Sequence, residues 1–138
     1  MKNNQARSFV TIMIVIALCA FLLRVGLEQV MRISILRNQA DSLTTLKLIS
    51  TALENYAKDN HNVFPDRLAP LTLTVPAYLD RDYSALTYFK GYVYTCPRLD
   101  SSGYRCVVVP AKCGLTGLLV YTVTTGGSIT QESCLKKE

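Results

Sequence analysis

The run FVTIMIVIALCAFLL, residues 9–23, carries no charged side chain and is bracketed by Arg7 and Arg24. As an α-helix at about 1.5 Å per residue it covers roughly 22 Å, short of the ~30 Å hydrocarbon core of a bilayer. Arg24 can lift its guanidinium to the headgroups on its aliphatic stem, which draws Val25, Gly26 and Leu27 into the buried length. Residues 9–27 therefore read as a membrane-spanning segment. Lys2 and Arg7 hold the N-terminus on the cytoplasmic side, so a single-pass chain exports everything that follows.

A cleaved signal peptide fits this run poorly, because small residues are wanted just before the scissile bond. Cleavage after Ala20 leaves Leu18 at the third position back, and lipoprotein-type cleavage before Cys19 places Leu18 where a small residue belongs. The run is expected to be retained. Downstream, residues 27–62 contain neither proline nor glycine, and Leu36, Ala40, Leu43, Leu46, Ile49, Leu53 and Tyr56 recur at gaps of three and four. That spacing is one stripe of an amphipathic helix. Asp59 to Asn62 has the composition of a stop. The two segments join into one helix over residues 9–60, roughly 78 Å long, preceded by a short basic leader at 1–8.

The remaining residues, 61–138, read as a small globular head. Its first part, 61–85, is proline-punctuated loop with short helical pieces. Its second part, 86–138, holds segments rich in aromatic and β-branched residues at Leu86–Cys96, Tyr104–Val109 and Leu118–Thr125, with a fourth at Ser128–Gln131. RLDSSG and Gly126-Gly127 lie where turns would make the strands antiparallel. The fold class is α+β: a long N-terminal helix packed on a three- to four-stranded antiparallel sheet. Of the tyrosines on these strands, Tyr92, Tyr94, Tyr104 and Tyr121, half are expected on the inner face and half on a contact surface.

Cys96, Cys106, Cys113 and Cys134 all fall in the exported part, where disulfides persist, while Cys19 sits in the apolar run as a small hydrophobe. Four cysteines allow three connectivities. Cys96 with Cys106 across the first hairpin, and Cys113 with Cys134 tying the tail to the loop before the third strand, is the favoured set. Zinc is the competing use, but there is no C-x-x-C knuckle. Catalysis has little to stand on: the single histidine, His61, lies at a helix end and suits a cap, and no nucleophile–base pair can be assembled. GLTG at Gly114–Gly117 marks a turn and not a phosphate loop. No enzymatic role, cofactor or metal is expected. The formal charge of +5 comes from scattered Lys and Arg interleaved with Asp and Glu, which argues against nucleic acid as a partner.

The basic leader, the apolar helix opening at Phe9 and the continuation ALENYAKDNHNVFPDRLAPL together resemble type IV pilins and type II secretion pseudopilins. Ala52, Leu53, Tyr56, Asp59, Asn60, Phe64, Pro65, Leu68 and Leu71 carry the likeness, and GYVYTC, GYRCVVVP, GLTGLLVYTV and GGSIT resemble the family's small sheet. The resemblance implies leader processing between Ser8 and Phe9 by a prepilin peptidase. It implies storage in the bacterial inner membrane, then helix packing through Phe9, Met13, Ile16, Ala20 and Leu23 against homologous subunits at an assembly platform. The product would be a periplasmic or extracellular filament.

Ser8 stands where the family has Gly, and Met13 where it has a Glu, which points to a minor or pilin-like subunit. Major pseudopilins bind calcium in their heads, but the candidate carboxylates Asp66, Asp80 and Asp82 read as turn residues. A non-polymerising, membrane-anchored binding module and, behind it, a DNA-uptake minor pilin are the alternatives.

Overall fold

The computed structural model describes residues 3–135, with side chains from residue 9 onward. The expected processing residue Ser8 has its side chain outside that range, as does the tail from Lys136. The first element is α1 (Asn3–Asp59). It begins within the expected leader, because NNQARS contains no proline or glycine to stop a helix growing backward from Phe9. It ends one residue earlier than expected. The Asn60 amide still donates to Tyr56 O at 3.0 Å, and the Asn62 amide donates five residues back to Ala57 O at 2.7 Å. His61 (φ 57°) takes the left-handed position that this closure demands, so it is the backbone of His61 that ends the helix.

The chain forms two compact units, residues 1–34 and 35–138, with α1 continuing through both. The described residues of the first are helix alone, and Phe9, Met13, Ile16 and Leu23 are exposed along it. The second combines residues 35–59 of α1 with α2 (Pro70–Leu73), a 3-10 turn at Tyr83–Ala85, and the strands β1 (Tyr92–Asp100), β2 (Gly103–Pro110), β3 (Leu119–Thr124) and β4 (Ser128–Ser133). The sheet order is β1-β2-β3-β4, antiparallel throughout. The fold is thus α+β, with one long helix against a four-stranded sheet.

Both ends of β1 depart from expectation. Leu86–Gly91 is not strand: Phe89 and Tyr92 exchange backbone hydrogen bonds of 2.7 and 3.0 Å around Lys90 (φ 48°) and Gly91 (φ 77°), a two-residue reversal that delays β1 to Tyr92. At its other end β1 runs on through Pro97 to Asp100. It can do so because β1 is an edge strand, where a missing N–H is tolerated, and because a bulge between Thr95 and Arg98 absorbs the proline.

The helix face that meets the sheet is rotated from the apolar stripe read in the sequence. Leu46, Ile49 and Leu53 are buried as expected, but Leu36 is 65% exposed and Ala40 is exposed too. Gln39, Ser42, Thr45 and Ser50 turn inward instead. Ser50 can do so because it bonds the Tyr104 hydroxyl, and Ser42 and Thr45 because their hydroxyls donate back to Gln39 O and Asp41 O within the helix. Tyr92, Tyr94, Tyr104 and Tyr121 are all buried at 5% exposure or less, so the expected division into inner and outer tyrosines does not occur. The alternation of each strand explains it: Tyr92 and Tyr94 share a face on β1, Tyr104, Cys106 and Val108 share one on β2, and Tyr121 and Val123 share one on β3.

Candidate functional site

The first unit supplies an uninterrupted apolar surface. Phe9, Met13, Ile16 and Leu23 are between 56% and 68% exposed, Ala20 is exposed beside them, and an 18-residue window of this helix reaches a mean hydropathy of 2.6. By length and composition this helix can cross a membrane. Past Arg24 the pattern changes character. Leu23, Gly26, Leu27, Val30 and Ile33 follow helical spacing on one side, while Arg24, Glu28 and Arg32 recur every fourth residue on the other. Arg24 Nε lies 3.9 Å from Glu28 Oε1, an exposed pair of little energetic weight. Leu27, Val30 and Ile33 are 63–65% exposed.

In the second unit, tyrosine hydroxyls join helix and sheet. Ser50 Oγ donates to the Tyr104 hydroxyl at 2.8 Å, which in turn donates to Glu54 Oε1 at 2.9 Å. The same carboxylate oxygen accepts from the Gly126 amide at 2.7 Å, so one side chain of α1 pins the turn between β3 and β4. The Tyr92 hydroxyl donates to Leu119 O at 3.1 Å, and Asn38 Nδ2 donates to Thr116 O at 3.0 Å. Asp41 and Lys90 add an ion pair at 3.0 Å. Buried polar groups satisfied in this way specify one arrangement of helix on sheet, since leaving any of them unpaired costs about 1–3 kcal/mol.

Burial, above all, pushes Tyr94 and Tyr104 up to about 12. A phenol whose folded pKa lies above its unfolded value stabilises the fold fully below pH ~10, and this contribution is lost as pH rises through the folded value. The denaturation midpoint of the full chain in detergent should hold steady to pH ~10 and then fall steeply towards pH ~12. A midpoint flat across that window would mean the two phenols are not desolvated.

The four cysteines of the head are joined as Cys96–Cys106, ten residues apart, and Cys113–Cys134, twenty-one apart. The structure thereby brings together the pairs favoured on chain order. Cys19 is free and exposed on α1. The first disulfide links β1 to β2 beside the bulge; the second ties the end of β4 to the loop before β3, where the Cys134 amide also donates to Leu118 O at 2.9 Å.

The three loop aspartates do not converge. Asp66 pairs with Arg67, Asp82 caps the 3-10 turn through the Ser84 amide, and Asp80 accepts from Tyr83 and Arg81. The Tyr83 and Arg81 contacts hold the Asp80 carboxyl below its ordinary value. Among the described residues no three His, Cys, Asp or Glu side chains gather closely enough to hold a metal ion.

What sequence reasoning missed is a cavity of about 590 Å³ lined by Pro97, Arg98, Tyr104, Arg105, Thr124 and Thr125. Pro97 inside a strand was the available signal, since proline within a strand marks an edge or a bulge. A long apolar helix packed on a small, disulfide-bearing antiparallel sheet is an arrangement compatible with a pilin-like fold. No protein-family model, curated protein or solved structure matches the chain.

Proposed function

We propose that this chain is a non-enzymatic, pilin-like structural subunit, held in the bacterial inner membrane by residues 9–27 and assembled through α1 into a type II secretion or type IV pilus-type filament. One observation carries the reading. Val30 and Ile33 remain 65% and 63% exposed on the same stretch of helix that carries Glu28 and Arg32. Hydrocarbon accommodates about twenty helical residues, and charged side chains at greater depth are expensive, so the bilayer that takes residues 9–27 leaves this second apolar stripe uncovered. Burying such side chains is worth roughly 1.5–3 kcal/mol each, and a parallel helix of a sister subunit offers a matching surface. The partners are therefore other pilin-like subunits, with a prepilin peptidase and an assembly platform acting before them.

The buried tyrosines weaken the rival reading of a tyrosine-rich binding head, because Tyr92, Tyr94, Tyr104 and Tyr121 are each 4% exposed or less.

The test is recovery of the protein from membrane and sheared extracellular fractions of its host. Wild-type chain should be found in both, beginning at Phe9 in the sheared material. Val30→Lys should remain in the membrane at unchanged abundance and fall at least tenfold in the sheared fraction. Wild-type chain confined to membranes, or equal shedding of Val30→Lys, would sink the proposal.

A further inference from the structure

The cavity beside the β1 bulge is the least explained feature of the head. Registers on either side of the bulge show what the extra residue accomplishes. Before it, Thr95 lies opposite Val107; after it, Arg98 lies opposite Arg105. An unbroken ladder would have placed Pro97 against Arg105. The bulge instead sets two arginines side by side, an arrangement that is destabilising when like charges face each other directly across a strand pair.

Only one of the two is neutralised. Arg98 Nε donates to Asp100 Oδ2 at 2.9 Å and its Nη2 to Ser102 Oγ at 3.1 Å. Asp100 is itself held by the Ser102 amide at 2.9 Å, and the Ser102 hydroxyl and Arg98 keep its carboxyl well below the usual carboxylate range. The guanidinium of Arg98 is thus oriented in advance, with three of its five N–H donors still free of these contacts. Arg105 has no ion-pair partner among the described residues. Thr124, its register neighbour on β3, borders the same cavity. Thr125 Oγ1 is already committed, accepting from the Tyr104 amide at 2.8 Å and donating to Tyr104 O at 3.3 Å.

We propose that this cavity is an oxyanion site, in which the paired guanidinium groups of Arg98 and Arg105 bind a phosphate or carboxylate group carried on a small polar molecule. The geometry suits that chemistry. Guanidinium forks match the oxygens of such anions, and an anion beside Arg105 supplies the counter-charge that Asp100 gives only to Arg98. About 590 Å³ is ample for an anion with a small body attached and falls within the usual range of small-molecule pockets. This site is independent of the α1 surface on which the filament reading rests, so either can fail without the other.

The test uses the full chain in neutral detergent micelles, with inorganic phosphate and acetate titrated against chloride at constant ionic strength, read by NMR shifts of the Arg98 and Arg105 Nε–H groups. Saturable shifts of both arginines are expected, with dissociation constants weakened at least tenfold in Arg105→Gln and Arg98→Gln. Thr130→Gln, elsewhere on the sheet, should leave them unchanged. The response to phosphate against acetate identifies which anion the site prefers. Linear, unsaturated shifts, or saturable ones that survive Arg105→Gln in a chain with unchanged circular dichroism, would overturn the proposal. So would binding of a DNA oligonucleotide with no response to phosphate alone, which would reflect diffuse charge in place of a built site.

Discussion

Replacing Gly117 by alanine should destabilise the head by about 3 kcal/mol, the upper part of the range for overpacking a filled interior. A β-carbon at Gly117 would fall within the ring of Tyr92, 2.5 Å from Cζ and closer still to the hydroxyl. Tyr92 is fully buried and its hydroxyl is engaged with Leu119 O, so it cannot swing aside without losing that bond. Gly117 is thus required for close approach, and its backbone angle is not the cause. Thermal or denaturant unfolding of Gly117→Ala in detergent measures the loss, and Gly117→Ala with Tyr92→Leu should be more stable than Gly117→Ala alone. A wild-type midpoint for Gly117→Ala would show that the loop carrying Gly117 yields freely.

The second large effect is expected from the longer disulfide. Cys113 and Cys134 close a loop of twenty-one residues, for which chain entropy gives a stabilisation of about 3 kcal/mol. Its loss should be felt first in β4. That strand has no buried residue, and only Ile129 among its side chains packs partly against the core. What holds it is the ladder to β3, the disulfide at its end, and Glu54 at the turn before it. The variant Cys113→Ala with Cys134→Ala should therefore lower the global midpoint and accelerate amide exchange in β4 well before β2. Uniform acceleration of all four strands would mean that β4 does not open separately.

The helix, the antiparallel order of the sheet and the location of the cysteines were legible because each rests on local signals: a long stretch without proline or glycine, turn residues between β-branched runs, and chain order. The azimuth of α1 was not. A stripe drawn through Leu36, Ala40 and Leu43 counts only apolar residues, whereas the face that packs includes Gln39, Ser42, Thr45 and Ser50, whose hydroxyls are satisfied within the helix at Ser42 and Thr45 and by the Tyr104 phenol at Ser50. Strand parity hid the tyrosines in the same way, since alternation states which residues share a face and not which face is covered. The aromatic run LTYFK reads as strand, yet Lys90 and Gly91 reverse the chain within it. The arginine cavity depends on a register shift of one residue, and only the pairing itself displays that.

The polar contacts along residues 38–54 imply that α1 obeys different rules in its two stretches. From Phe9 to Ile33 nearly any apolar neighbour of suitable size satisfies the surface, and exchange of one aliphatic side chain for another should pass with small effect. From Asn38 to Glu54 the side chains of Asn38, Asp41, Ser50 and Glu54 each answer a named group on the sheet or its loops. Drift in sequence among related chains should therefore be wide in the first stretch and narrow in the second. A heterologous helix grafted onto this sheet would need Ser50 and Glu54 in place, not merely a greasy stripe.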